Sequence, residues 1–241
     1  MKLKILPSTA ELARAAAEDF VTRAQASLAA KGAFKVALTG ASTPRDTYAL
    51  LATETYTSRI DWSHVYVFWG DERCVPPDHE SSNFRMARIA LLDHVPIPAE
   101  NVFRMHGEDP PQAAAAAYEQ LLNDVVGDRF DLIHLGMGAD AHIASLFPGS
   151  AALHEKRRRV HAQLVESAGM WRITLTPVVI NRAASITFIV AGPQKARAVA
   201  AVLEGPYAPV NFPAQIVSPA DGEVLWLIES EAAAGLLRQI R

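Results

Sequence analysis

The 241-residue sequence predicts an α/β fold: a three-layer α/β/α unit, doubly wound about a single, mostly parallel sheet. Three observations carry this. Short runs rich in β-branched residues alternate with Ala-rich stretches of helical length, the rhythm of βαβ units. Most of the apolar runs are continuous, as strands covered on both faces require. Glycine turns or charged residues directly follow several runs, where the carboxyl edge of a parallel sheet places its ligands.

In chain order, LKIL (3–6) is the first expected strand. A helix over 8–31 follows, capped by Ser8 or Thr9 with Glu11 close behind and closed by Gly32. FKVALT (34–39) leads through Gly40 into a helix over 44–53, and VYVFW (65–69) precedes a helix over 82–92. The helix over 110–126 opens on Pro110 and Pro111, which suit a first turn, and runs through alanines 113–117, small residues of high helix propensity. DLIHLG (131–136), RVHAQL (159–164), RITLT (172–176) and SITFIVA (185–191) are the next strands. A helix over 193–203, EVLWLI (223–228) and a helix over 230–239 complete the pattern. Strand signals continue beyond the proline-rich patches at 76–77, 96–98 and 206–213, so residues 1–241 are expected to form one domain.

Composition excludes several classes. Half of the residues are hydrophobic and 20% are charged, which is globular and neither disordered nor collagen-like. Cys74 is the only cysteine, which leaves no internal disulfide and no Cys-based zinc site and fits a cytoplasmic setting. The N-terminal apolar run is too short for a signal peptide, and no window approaches the roughly 18 apolar residues of a membrane span. A net charge of −3 gives no reason to expect a nucleic-acid partner. The basic run Arg157-Arg158-Arg159 reads as a solvated loop entering a strand, or as an anion or partner contact.

Three loops carry candidate chemistry. After FKVALT, Gly40 permits a tight turn, Ala41, Ser42 and Thr43 follow, and Pro44 suits a helix start. With Arg45 nearby this is either an ordinary capped turn or a phosphate cradle of free backbone N–H groups. After VYVFW, Asp71-Glu72-Arg73 sits on the sheet edge. Arg73 could bind a phosphate and Asp71 could orient or deprotonate a group, or the loop could be an ion pair before a helix capped by Ser81 or Ser82. After DLIHL, the turn Gly136-Met137-Gly138-Ala139-Asp140-Ala141-His142 carries a histidine, whose ordinary pKa of about 6.5 suits proton transfer. Its match to the dinucleotide fingerprint is rejected, because Pro148 leaves no room for a long helix.

Arg172 and Lys195 stand at two further strand edges, each readable as a surface charge or, with Arg45 and Arg73, as part of a dianion pocket. There is no Gly-x-Ser-x-Gly elbow, no Walker A loop and no His-Glu-x-x-His pair. Asp140-x-His142 could ligate a metal, but the eight histidines are scattered and no metal or cofactor is expected.

Taken together, LTGASTPR, FWGDERCVPPDHESSN and LGMGADAHIASLFPG, followed by WRITLTPVVIN and AGPQKA, resemble the 6-phosphogluconolactonase family within the glucosamine/galactosamine-6-phosphate isomerase superfamily. The resemblance runs from about 35 to 228 in the same order and spacing. It implies the α/β/α fold shared with glucosamine-6-phosphate deaminases and ribose-5-phosphate isomerases. It also implies metal-independent hydrolysis of a phosphosugar lactone in the oxidative pentose phosphate pathway. His142 then falls on the base that activates water, with Asp140 beside it; Gly40, Ser42 and Arg73 fall on sugar-phosphate positions, and Arg172 and Lys195 on basic positions of the phosphate site. Backbone N–H groups around Gly136 to Gly138 are expected to serve the oxyanion. Two residues depart from the family pattern: Ala41 and Ala141 stand where glycines are usual, and alanine at positive φ costs on the order of 1 kcal/mol.

The rival enzyme is a hexosamine-6-phosphate deaminase/isomerase, which carries a glutamate after the histidine turn, whereas this chain reads His142-Ile143-Ala144-Ser145-Leu146-Phe147-Pro148. A non-catalytic sugar-phosphate sensor needs a DNA-binding module, for which the chain has no spare residues ahead of its first elements. The expected partner is a small phosphosugar lactone, with no nucleic acid and no membrane, and the expected state is a monomer or weak homodimer.

Overall fold

In the computed structural model, which describes residues 1–40 and 42–237, the first elements form as Lys2–Leu6 (β1) and Thr9–Lys31 (α1). Ser8 Oγ accepts the Glu11 N–H at 3.3 Å, and Gly32 closes the helix at φ 69°, its N–H bonded to Leu28 O. Phe34–Leu38 (β2), Ser42–Leu51 (α2), Glu54–Thr57 (α3), Val65–Trp69 (β3), Asp71–Arg73 (β4) and Asn83–Ala90 (α4) follow. Next come Pro111–Leu121 (α5), Leu132–Leu135 (β5), Val160–Val165 (β6), Met170–Leu175 (β7), Pro177–Ile180 (α6), Ser185–Val190 (β8), Ala196–Glu204 (α7) and Glu223–Glu229 (β9). A π-helical turn, Leu122–Val126, extends α5 over the rest of the expected helix.

The central sheet has six strands in the order β1-β9-β8-β5-β2-β3, every neighbouring pair parallel. Period-2 alternation divides its side chains between two cores. Val36, Leu38, Val67 and Trp69 pack with Phe20, Val21, Tyr48 and Ala87 from α1, α2 and α4. Ala37, Phe68, Ile133, Leu135 and Phe188 pack with residues of α5, α6 and α7 on the other face. The expected three layers follow from this division.

Two expectations are corrected. RVHAQL and RITLT do form strands, but β6 and β7 pair antiparallel and join β4 in a separate three-stranded sheet, β4-β7-β6. Only residues 166–169 connect them, with Gly169 at φ 57°, and a parallel pairing needs a crossover of roughly a dozen residues. The helix expected over 230–239 is absent from 230–237, which form turns, and 238–239 lie outside the described residues. There the Glu229 carboxylate accepts the Glu231 and Ala232 N–H groups, and Gly235 lies so close to Ala196 that a Cβ would sit 2.8 Å from its carbonyl oxygen.

Strand order also locates the ligand crevice. From β2 the chain moves to β3 on one side, then returns to β5 on the other and continues outward to β8 and β9. The order therefore reverses between β2 and β5, and a doubly wound sheet opens its binding crevice beyond the carboxyl ends of the strands at that point. Among the described residues, no helix is long and apolar enough to cross a membrane.

Candidate active site

At that reversal lies an open cleft of about 210 Å³. Thr39, Gly40 and Thr43 reach it from the β2–α2 connection, and Gly136, Gly138 and His142 from the turn after β5. Asp71 and Arg73 come from β4, Arg172 from β7, and Lys195 from the start of α7. The small antiparallel sheet thus brings its charged residues over the edge of the large one.

The histidine turn is built around one contact. His142 Nδ1 lies 2.6 Å from Asp140 Oδ1, which also accepts the His142 backbone N–H at 3.2 Å. A carboxylate accepting at Nδ1 fixes the tautomer with the proton there, leaving Nε2 as the acceptor. The imidazole is 32% exposed and the carboxylate 47%, so both remain in reach of water. Burial pushes the Asp140 carboxyl up, but the hydrogen bond and charge of His142 outweigh it and hold the group below the usual carboxylate range.

Backbone conformation explains the small residues here. A Cβ on Gly138 would overlap the His142 ring and lie 2.5 Å from Asp140 Oδ1, so the imidazole occupies the space a side chain would take. Ala141 sits at φ 65°, in the left-handed region that favours glycine, and Ala144 at φ 47°. The N–H groups of Gly136 and Gly138, expected to serve an oxyanion, are engaged: Gly136 donates to Thr39 Oγ1 at 3.4 Å and Gly138 to His142 O at 2.9 Å.

Positive charge gathers around the same cleft. Arg73 and Arg172 stand directly across the β4–β7 ladder, an arrangement that repels like charges. Each has a buried Nε with no partner, while Arg73 Nη1 donates to Ser81 O at 2.6 Å and Arg172 Nη1 lies 3.9 Å from Asp71 Oδ2. Burial, then the Arg73 charge, lowers the Arg172 pKa, and burial alone lowers that of Lys195, which has no carboxylate partner among the described residues. Asp71 is the one carboxylate among the described residues lining the cleft, so the wall carries net positive charge and suits a dianion.

Asp71 is held as a structural tie. Its Oδ2 accepts the Ser145 hydroxyl at 2.7 Å and its Oδ1 the Asn83 amide at 3.2 Å, binding the histidine turn and α4 to the small sheet. Glu72 faces away from the cleft and accepts backbone N–H groups from Arg73, Asn83 and Phe84 at 2.7–2.8 Å, with the Ser82 hydroxyl at 3.1 Å. Burial nonetheless raises its pKa above the usual carboxylate value.

The remaining sequence candidates are placed as follows. Arg45 does not line the cleft; its side chain is 60% exposed and pairs with Asp46 at 3.3 Å. Ala41 and the Ser42 side chain lie outside the described residues, although Ser42 opens α2. Arg157 and Arg158 belong to a loop whose N–H groups donate to Glu155, and Arg159 donates to Gly127 O at 2.8 Å, away from the cleft. Asn83 went unnoticed in the sequence: it is buried against Gly40, where a Cβ would collide with its amide. Its only signal is its place directly after the helix cap Ser82.

Comparison with known proteins supplies the family. The model for glucosamine-6-phosphate isomerases/6-phosphogluconolactonase matches residues 7–226. A 6-phosphogluconolactonase of Nostoc sp. is 39% identical over 97% of this chain and 98% of its own length. The solved structure of 6-phosphogluconolactonase from Trypanosoma brucei superposes with a TM-score of 0.87 at 29% identity, covering 98% of each chain. A monomeric glucosamine-6-phosphate deaminase shares the fold, with a TM-score of 0.84 at 24% identity over 98% of this chain and all of its own (100%). The chain belongs to the glucosamine-6-phosphate isomerase/6-phosphogluconolactonase family.

Proposed function

We propose that this protein hydrolyses 6-phospho-D-glucono-1,5-lactone to 6-phospho-D-gluconate, the second step of the oxidative pentose phosphate pathway. One observation carries the reading: an Asp140-oriented imidazole opens into the same cleft as Arg73, Arg172 and Lys195. A proton acceptor and a dianion site in one cleft suit a phosphorylated substrate with a reactive carbonyl at its other end.

In this mechanism the phosphate binds the basic wall and the lactone C1 lies beside the histidine turn. His142 Nε2 takes a proton from water as the oxygen attacks C1. The C1–ring oxygen bond then breaks, and the imidazolium returns its proton to the departing ring oxygen, so the base is regenerated without a covalent intermediate. Asp140 accepts from Nδ1–H throughout and stabilises the transient imidazolium. With the Gly136 and Gly138 N–H groups engaged, they are not assigned to the oxyanion. Imidazole supplies the base, so the step is written without a metal ion.

The deaminase reading is disfavoured at the same turn, where residues 143–148 carry no carboxylate and Phe147 stacks on the imidazole instead. We place the enzyme in the cytoplasm as one domain, a monomer or weak homodimer; its single cysteine, Cys74, is free, and burial pushes that thiol up to about 11. The test is lactone hydrolysis, with substrate generated in place from glucose 6-phosphate and the spontaneous rate subtracted. A rate proportional to enzyme concentration supports the reading; no rate above background from folded protein rejects it.

A further inference from the structure

The imidazole of His142 has a second neighbour that no part of the mechanism uses. The Phe147 ring stacks on it with centroids 4.3 Å apart and planes inclined by 28°. Phe147 does not line the cleft. It lines a separate cavity of about 370 Å³, together with Ser150, Gln163 and Glu166. The phenyl ring therefore stands between the back of the catalytic imidazole and a polar cavity.

We propose that Phe147 is a positioning residue for the hydrolysis: its ring fixes the plane of the His142 imidazole and closes its rear face, so that Nε2 presents to the cleft. Three constraints converge on that ring. Asp140 holds Nδ1 at one edge, and one hydrogen bond there leaves the ring free to tilt. Gly138 lies against Nδ1 and Cε1, where a Cβ would collide with the ring. The stacked phenyl covers a ring face and opposes rotation out of plane, and stacking of this kind is geometrically selective. Without it the imidazole can swing rearward, where the second cavity offers it water and the Glu166 side of that wall. Near-attack geometry is sensitive at this level, since a displacement of about 1 Å can cost about 100-fold in rate.

The inference rests on the lactonase reading for its kinetic test, and a second test is independent of activity. In steady-state hydrolysis, Phe147→Leu and Phe147→Ala are expected to lower kcat by about 10- to 100-fold with KM within about twofold, because neither touches the phosphate wall. Phe147→Tyr, which keeps a planar ring, is expected to retain at least about half of wild-type kcat. Leu keeps much of the volume without the flat face, so equal kcat for the Leu and Tyr variants overturns the proposal even if the Ala variant fails to fold. NMR relaxation of the His142 ring reads the clamp directly: wild type and Phe147→Tyr should show a rigid imidazole, and Phe147→Leu an imidazole of clearly lower order parameter, with the Nδ1–H tautomer set by Asp140 in all three. Unchanged ring mobility in Phe147→Leu contradicts the proposal whatever the lactone assay gives, while an inactive wild type with the expected ring dynamics rejects the lactonase reading alone.

Discussion

Arg73 and Arg172 oppose each other across one ladder, with Asp71 as the nearby carboxylate, so their mutual repulsion is offset only in part by the protein itself. A bound dianion offsets that repulsion. Arg73→Ala should therefore weaken binding of 6-phosphogluconate by about 30-fold or more while leaving folding stability within about 1 kcal/mol of wild type. Calorimetric titration checks the first, and unaltered affinity removes Arg73 from the phosphate site. At Ala141 two effects compete. Relief of the left-handed strain by glycine is worth about 1–2 kcal/mol, whereas the buried methyl contributes about 0.8 kcal/mol and glycine adds entropy to the unfolded chain. Ala141→Gly should thus change stability by less than about 1 kcal/mol and keep full turnover; a thermal unfolding midpoint lowered by more than about 4 °C would show that the methyl packing dominates. The strain at 141 was legible in the sequence through the departure from glycine. The stacking of Phe147 was not, because four residues of irregular turn separate it from His142 and no periodicity constrains which rings meet.

Elements made mostly of apolar residues were readable, and the short charged ones were not. Each of the eight expected strands forms, since continuous runs such as SITFIV have no other stable place than a doubly covered sheet. Asp71-Glu72-Arg73 escaped as a strand because charged residues have low strand propensity and its pairing with β7 is a tertiary event. Glu72 shows what that strand does for its neighbours: its buried carboxylate takes the N–H groups at the start of α4. Glu72→Leu would leave those donors buried and unpaired, at a cost of about 2–4 kcal/mol. Urea unfolding should show the loss, with Glu72→Gln intermediate because one acceptor oxygen survives. A Leu variant as stable as wild type would mean that α4 does not need this cap.

Across the whole molecule, the two-walled cleft depends on two sheets being docked through the Ser145–Asp71 bond and on a core that holds β5 in place. That core contains a titratable group. His134 on β5 is fully buried between Phe20 and Tyr48, neither ring nitrogen has a partner, and burial pushes its pKa down to about 4. Folding therefore favours the neutral ring. Above about pH 6.5 both folded and unfolded chains carry it neutral; between about 6.5 and about 4 the unfolded chain takes up a proton that the folded one refuses. Stability should fall by about 3 kcal/mol as pH drops through that window, and His134→Leu should flatten that part of the profile. An unaltered pH profile in the variant would show that His134 is not the group responsible. The overall architecture was largely legible, because strand count and the helical intervals between strands restrict a parallel sheet to few arrangements. The separate antiparallel sheet that supplies Arg73 and Arg172 was not, although the short 164–172 interval held the clue.

The most direct test of the account is steady-state hydrolysis of 6-phosphogluconolactone by wild type and His142→Ala, with the spontaneous reaction subtracted and 6-phosphogluconate affinity measured alongside. The His142→Ala kcat is expected to fall by at least about 100-fold while product affinity stays within about twofold. Wild-type turnover in the His142→Ala variant would contradict it and leave the Asp140–His142 pair without a role in the chemistry.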